Sequence, residues 1–212
     1  EFKKVCPNRF CNVGIAEQSL VGTAAGMAIA GKIPFASTFA MFAAGRAFEI
    51  IRNTVAYPCL NVKIAATHAG LTVGEDGASH QAIEDLSLMR SIPNMTVINP
   101  ADSIEAEQAV IKAAEYVGPV YIRLGRAAVE DIYDENYKFE IGKGVKLRDG
   151  VDVTIIATGL MVQKSLKAAE ILEEEGIFAR VINIHTLKPI DKNIIINCAK
   201  ETKAIVTAEE HS

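Results

Sequence analysis

The chain has 212 residues, half of them hydrophobic, and a formal net charge of -4, which suits one large or two modest globular domains. Charge this balanced excludes a protein built to coat nucleic acid or an anionic membrane surface, and the longest quiet apolar run, Leu20 to Gly31, is about half of the roughly 20 residues a membrane span requires. Cys6, Cys11, Cys59 and Cys198 show neither CxxC spacing nor paired histidines, so they read as free thiols of a reducing, cytoplasmic compartment.

In chain order, "EFKKVCPNRFCNVG" has no apolar signal-peptide stretch, and the absence of Met at position 1 leaves room for residues upstream. Apolar and small residues recur at helical spacing over 16–32, with Gly31 as a stop. A short extended stretch is predicted at 33–38, a second helix at 39–56 and a buried strand at 61–67. After a glycine loop, "QAIEDLSLMRSI" (81–92) reads as an amphipathic helix and "MTVINP" (95–100) as a strand. Asp102 or Ser103 can cap the helix that follows, and "PVYIRL" (119–124) is a further strand. Strands separated by helices of this length imply a parallel sheet covered on both faces, an α/β fold.

Composition changes between Ala127 and Gly150, where a charged, aperiodic stretch reads as a surface linker. The alternation then resumes with a strand at 151–158, a helix, a strand at 178–184, a helix near 191–200 and a strand at 204–209. The expected organisation is therefore a first domain at 1–127, a linker at 128–149 and a second α/β domain at 150–212. An open parallel sheet that small is marginal alone, so the second domain is expected to be incomplete here.

Several residues carry chemistry in this pattern. Glu17 opens a helix of small residues; it is either a first-turn acid complementing the helix dipole or a half-buried carboxylate that shares a proton with a ligand nitrogen. Phe39 and Phe42 lie three apart, on one predicted helix face just past a strand end. They are either core or a stacking surface for a flat heteroaromatic ligand. In "ATHAGLTVGEDGASHQA" (66–82), His68 ends a strand, Asp76 sits on the glycine loop and His80 is expected to begin a helix. Their spacing matches neither HxxxH nor HExxH, so no metal site is assigned. Either Asp76 and His80 cap a helix, or they converge on a hydroxyl-rich substrate. Arg126, past the end of a strand on the same predicted edge as His68, is a solvated charge or, with His68, a phosphate clamp.

Together, "FCNVGIAEQ", "PFASTFAMFAAGRAFEIIRN", "GLTVGEDGASHQAIEDLSLMRSIPNMTVINPAD", "VYIRLGR", "INIHTLKPID" and "TAEEHS" resemble the transketolase family of thiamine-diphosphate enzymes. The resemblance implies a pyrimidine-binding domain followed by the beginning of the C-terminal transketolase domain. It makes Glu17 the carboxylate at N1′ of the cofactor's aminopyrimidine, promoting the tautomer that deprotonates the thiazolium. Phe39 and Phe42 become the aromatic pocket around that ring. The family often adds a third aromatic where this chain has Gly45, which implies a looser pocket. Asp76 and His80 match residues that hold the donor sugar's hydroxyls and serve catalysis, and His68 and Arg126 match residues that reach its phosphate.

The chain has no GDG-type segment followed by Asn, the family's metal and diphosphate site. The resemblance therefore implies the C-terminal subunit or fragment of a transketolase. Such a chain joins a homodimer interface and a partner domain or subunit that holds the diphosphate with Mg²⁺ or Ca²⁺, and ketol units pass between sugar phosphates. 1-Deoxy-xylulose-5-phosphate synthase, which shares much of the motif order, is the alternative activity. A non-catalytic subunit of the same fold is the alternative of another class.

Overall fold

The computed structural model describes residues 1–212. A helical turn, α1 (Phe2–Val5), and an irregular stretch lead into α2 (Glu17–Ile29). On α2 the buried positions are Glu17, Val21, Ala24 and Ala25, one stripe at helical spacing. Their small side chains let the helix lie close on β1 (Phe35–Phe39). Next come helical turns in which α3 (Phe48–Ile50) is flanked by wide π-type turns at Phe42–Arg46 and Ile51–Ala56. Phe39 thus closes a strand and Phe42 lies in the helical stretch that follows, so the two do not share a helix face as the spacing suggested.

β2 (Lys63–Thr67), α4 (Asp85–Ser91), β3 (Thr96–Ile98), α5 (Ser103–Glu115) and β4 (Val120–Arg123) complete the first unit. Its strands run parallel in the order β1-β2-β4-β3. β4 is buried along its whole length, as a strand covered on both faces must be. Asp102 caps α5 by accepting the Glu105 N–H at 2.8 Å. The helix expected over 81–92 begins only at Asp85, because residues 81–84 turn back on the glycine loop: Gly70 N–H donates to Ala82 O at 2.9 Å and Gln81 Nε2 to Leu71 O at 2.8 Å.

The second unit contains β5 (Val145–Arg148), β6 (Val153–Ala157), α6 (Met161–Glu174), β7 (Ala179–Asn183), α7 (Lys192–Glu201) and β9 (Ala204–Ala208). Its sheet runs β5-β7-β6-β9, with β5 antiparallel to β7 and the rest parallel. Both sheets are predominantly parallel, and the fold is mixed α/β. β5 lies inside the stretch read as linker, where four residues with two charges hid its pattern. β8 (Thr186–Lys188), also unforeseen, leaves the second unit and adds antiparallel to β3 at the edge of the first sheet. No helix is long and apolar enough to cross a membrane.

The largest core has 23 buried residues and lies around the first sheet, whereas the clusters centred on the second sheet hold only four and three. At about 1.5–3 kcal/mol for each fully buried Val, Leu or Ile, the second unit has little stability of its own and leans on the first. The linker supplies part of that support. Phe139 is buried with Ile98, Val120 and Ile122, and Tyr133 stacks on Tyr137 at 3.8 Å.

Between the units, fully buried Glu105 takes donors from Ala101 N–H (2.7 Å), Tyr137 OH (2.6 Å) and Asn183 Nδ2 (3.0 Å). Burial pushes this carboxyl up, the three donors pull it back and nearby Asp102 pushes it up again, leaving it above the usual carboxylate range. His185, 1% exposed and tilted over the Phe139 ring at 4.2 Å, is lowered by burial to about 4.

Candidate functional site

The candidate site lies at the carboxyl edge of the first sheet, where open parallel sheets bind ligands. Phe39 and Thr67 stand in register at the ends of β1 and β2. His68, the next residue, has φ of +59°, a region that non-glycine residues rarely occupy. This bend sets the imidazole on the Phe39 ring at 3.9 Å and 20°. Phe42 follows at 6.2 Å from Phe39, and His80 meets both phenyl rings edge-on at 6.0 and 5.3 Å.

Asp76 ends a 3₁₀ segment, Leu71–Asp76, on the glycine loop. Its Oδ2 lies 3.1 Å from Arg126 Nε and 4.0 Å from His68 Nε2. Neither donor is aligned for a hydrogen bond, so Oδ2 is a buried charged oxygen with no hydrogen-bond donor. Arg126 is spread over the loop, donating to Val73 O at 3.0 Å and standing 3.5 Å from Glu75. The loop can follow this path because Gly70 and Gly74 have φ of +88° and +71°. A Cβ at Gly74 would also sit 3.0 Å from Arg126 Nη1.

Glu17 is buried rather than half-buried, and it accepts from Arg46 Nη1 at 2.8 Å. Burial pushes the carboxyl up, but the Arg46 hydrogen bond, the residue's own backbone N–H and the Arg46 charge outweigh it and hold it below the usual range. Arg46 also covers the Phe42 ring at 4.7 Å, so one guanidinium joins the glutamate to the aromatic pair. Arg46 escaped the sequence reading, since nothing in "AAGRAF" marks it; the wide turn Phe42–Arg46 brings it round.

Behind this edge, Asp85 accepts from Tyr121 OH at 2.8 Å and Arg123 Nε at 3.0 Å, all three buried. This second omission had a signal: Arg123 is a charged residue within an otherwise apolar strand. His68, Asp76, His80, Arg126, Phe39 and Phe42 therefore form one cluster, while Glu17 is tied to them through Arg46. No group of three or more His, Cys, Asp or Glu side chains is arranged to hold a metal ion.

Two consecutive α/β units with predominantly parallel sheets, and a polar and aromatic cluster at the carboxyl edge of the first, define the class as mixed α/β. The sequence model of the pyrimidine-binding domain of transketolase matches residues 1–131, and that of the transketolase C-terminal domain matches residues 142–212. The chain belongs to the transketolase family. It is 57% identical, over its whole length and 66% of the other's, to a Methanocaldococcus jannaschii protein named for a transketolase C-terminal section. It is 45% identical to a 6-deoxy-6-sulfo-D-fructose transketolase subunit of Clostridium sp., again covering all of this chain and 66% of the relative. It superposes with a TM-score of 0.93 on a solved split-gene transketolase described as an inactive β4 tetramer, at 59% identity over all of this chain and 68% of that one. The chain thus spans about two thirds of the length of these relatives.

Proposed function

We propose that this chain supplies the pyrimidine-binding wall of a thiamine-diphosphate-dependent transketolase site, active when joined to a partner that holds the diphosphate and its Mg²⁺ or Ca²⁺. The chain would act as a C-terminal subunit or section, with a homodimer interface beside the partner contact. Thiamine diphosphate, when bound, supplies the nucleophilic carbon and electron sink for cleaving a bond next to a ketone. The residues present suit it: Phe39 and Phe42 offer a ring surface, and Glu17 offers an ionised carboxylate for a protonated ring nitrogen. Arg46 has to share or yield Glu17 Oε2 when that nitrogen arrives.

The observation that carries the reading is Asp76 Oδ2, an acceptor without a hydrogen-bond donor in a cluster with two histidines and an arginine. A sugar hydroxyl satisfies it. His80, over the aromatic pair, holds the donor's hydroxyls near C1 and C2 with Asp76. His68 and Arg126 attract the anionic end of the sugar. The four free cysteines support a cytoplasmic setting.

The deciding experiment mixes the chain with its diphosphate-binding partner, thiamine diphosphate and Mg²⁺. One arm receives xylulose 5-phosphate and ribose 5-phosphate. A second receives pyruvate and glyceraldehyde 3-phosphate, and a third pairs 6-deoxy-6-sulfofructose, the sugar in the Clostridium relative's name, with ribose 5-phosphate as acceptor. Turnover in the first or third arm, and none from the isolated chain, is expected. Turnover confined to the pyruvate arm makes the enzyme a deoxyxylulose-phosphate synthase, and silence in every arm makes the chain a non-catalytic subunit. Glu17→Gln should lower turnover at least 100-fold in steady-state assays, on the scale of lost general acid–base catalysis; near-normal turnover would reduce Glu17 to a helix-terminal charge.

A further inference from the structure

Residues just past β9 run back across the first unit and grip the base of the glycine loop. The Glu210 carboxylate accepts the Thr72 N–H, and the Glu210 carbonyl accepts from Arg123 Nη2 at 3.0 Å. The same Nη2 donates to Ala82 O at 3.2 Å, on the other limb of the loop. Ser212 N–H reaches Ile83 O at 2.8 Å. His211 Nε2 accepts from Leu86 and Ser87 N–H, at 3.1 and 3.3 Å, at the start of α4. These contacts fall on 72, on 82–87 and on Arg123 of β4, and none falls on 73–81, the lobe that carries Asp76 and His80.

Gly70 belongs to the same device. A Cβ there would run into the Glu210 carboxylate, so this placement of the carboxylate requires a residue without one. Glu210 is 7% exposed, and a carboxylate this buried that accepts a backbone N–H makes a strong, directional bond. Arg123 is itself anchored on Asp85, so the grip is fixed to the sheet rather than to another loop.

Building on the transketolase reading, we propose that Glu210 is a positioning residue for the site, a clasp from the second unit that fixes the loop's base and thereby the lobe bearing Asp76 and His80. Without its carboxylate, the Thr72 N–H loses the partner that ties it to the second unit, and the lobe can shift by the ångström that substrate alignment does not tolerate.

The test compares Glu210→Ala and Glu210→Gln in the intact chain, alone and with the diphosphate-binding partner. Amide exchange at Thr72 and across 73–82 should rise about tenfold or more in Glu210→Ala, while β6 and β7 keep their protection. With the partner, KM for the ketose donor should rise about tenfold and kcat should fall less. Glu210→Gln, which keeps an acceptor in place, should recover most of both. Unchanged exchange at 72–82 overturns the clasp. Faster exchange with unchanged KM overturns positioning, and loss of protection throughout both sheets in both variants reduces Glu210 to an attachment between domains. Exchange needs no turnover, so a failure of the ketol-transfer reading is distinguishable from a failure of the clasp.

Discussion

Asp76 and Glu105 are both acids drawn toward neighbours from other elements, yet they finish in opposite conditions. Glu105 is fully buried at the junction of the two units and has a donor from each of three residues. Asp76 is partly exposed, has the Arg126 guanidinium and the His68 imidazole within 4.0 Å and no aligned donor on Oδ2. The first arrangement is closed: every new partner would displace an old one. The second is open, with attraction but no committed hydrogen bond. A site for a ligand requires the second condition, and a joint between domains requires the first.

The contrast breaks most visibly at Glu105. Glu105→Ala leaves three donors unsatisfied and should cost about 4 kcal/mol of stability, read by chemical denaturation. A cost below about 1 kcal/mol would mean that the junction is not closed after all.

His185, at the same junction, sharpens the comparison through pH. Its folded pKa is about 4 against an ordinary 6.5, so the unfolded chain takes up the proton first as pH falls. Its contribution to stability is intact above about pH 6.5 and declines toward pH 4, by about 3 kcal/mol in all. Glu105, whose carboxyl is raised, titrates in the opposite sense, so the informative quantity is the difference between the wild type and His185→Gln. That difference should move against the wild type as pH falls through this window and stay constant above it, and a pH-independent difference contradicts the assignment.

The smallest free-energy effect is expected at Asp76. Asp76→Asn should change stability by less than about 1 kcal/mol, while turnover of the reconstituted enzyme falls about 100-fold, worth about 2.7 kcal/mol. A large loss of stability with normal turnover would reverse the roles given to the two acids.

Much of the fold was legible because it rests on periodicity. β2, β4, β6 and β7 are rich in Ile, Val and Ala, and α5 begins at a capping Asp; the core elements lie near their predicted places. The elements that escaped were those with no period to show. β8 is three residues long, and β5 is four with two charges, so only pairing with a strand 90 residues distant in one case and 38 in the other makes them strands. The start of α4 was misread because hydrogen bonds from 70–71 hold 81–82 in a turn against their own helical pattern.

Of the candidate site, the residues gathered by glycine and strand-end signals were readable. The partners that act across the fold were not. Arg46 is 29 residues from Glu17, and Glu210 is 138 from Thr72. No local pattern encodes either distance, and both pairs depend on how the helical turns and the second unit close over the sheet.

The crossing of β8 into the first sheet has a practical corollary for dissecting the molecule. A piece ended at residue 131, where the pyrimidine-domain match stops, would lose the strand that covers β3 and present that strand's bare N–H and C=O groups to solvent. β3 is buried at every position, and a naked apolar edge of that kind recruits other chains. The two units of this protein are sequential in the gene but laced together in the fold, so the first cannot be excised cleanly without a substitute for β8.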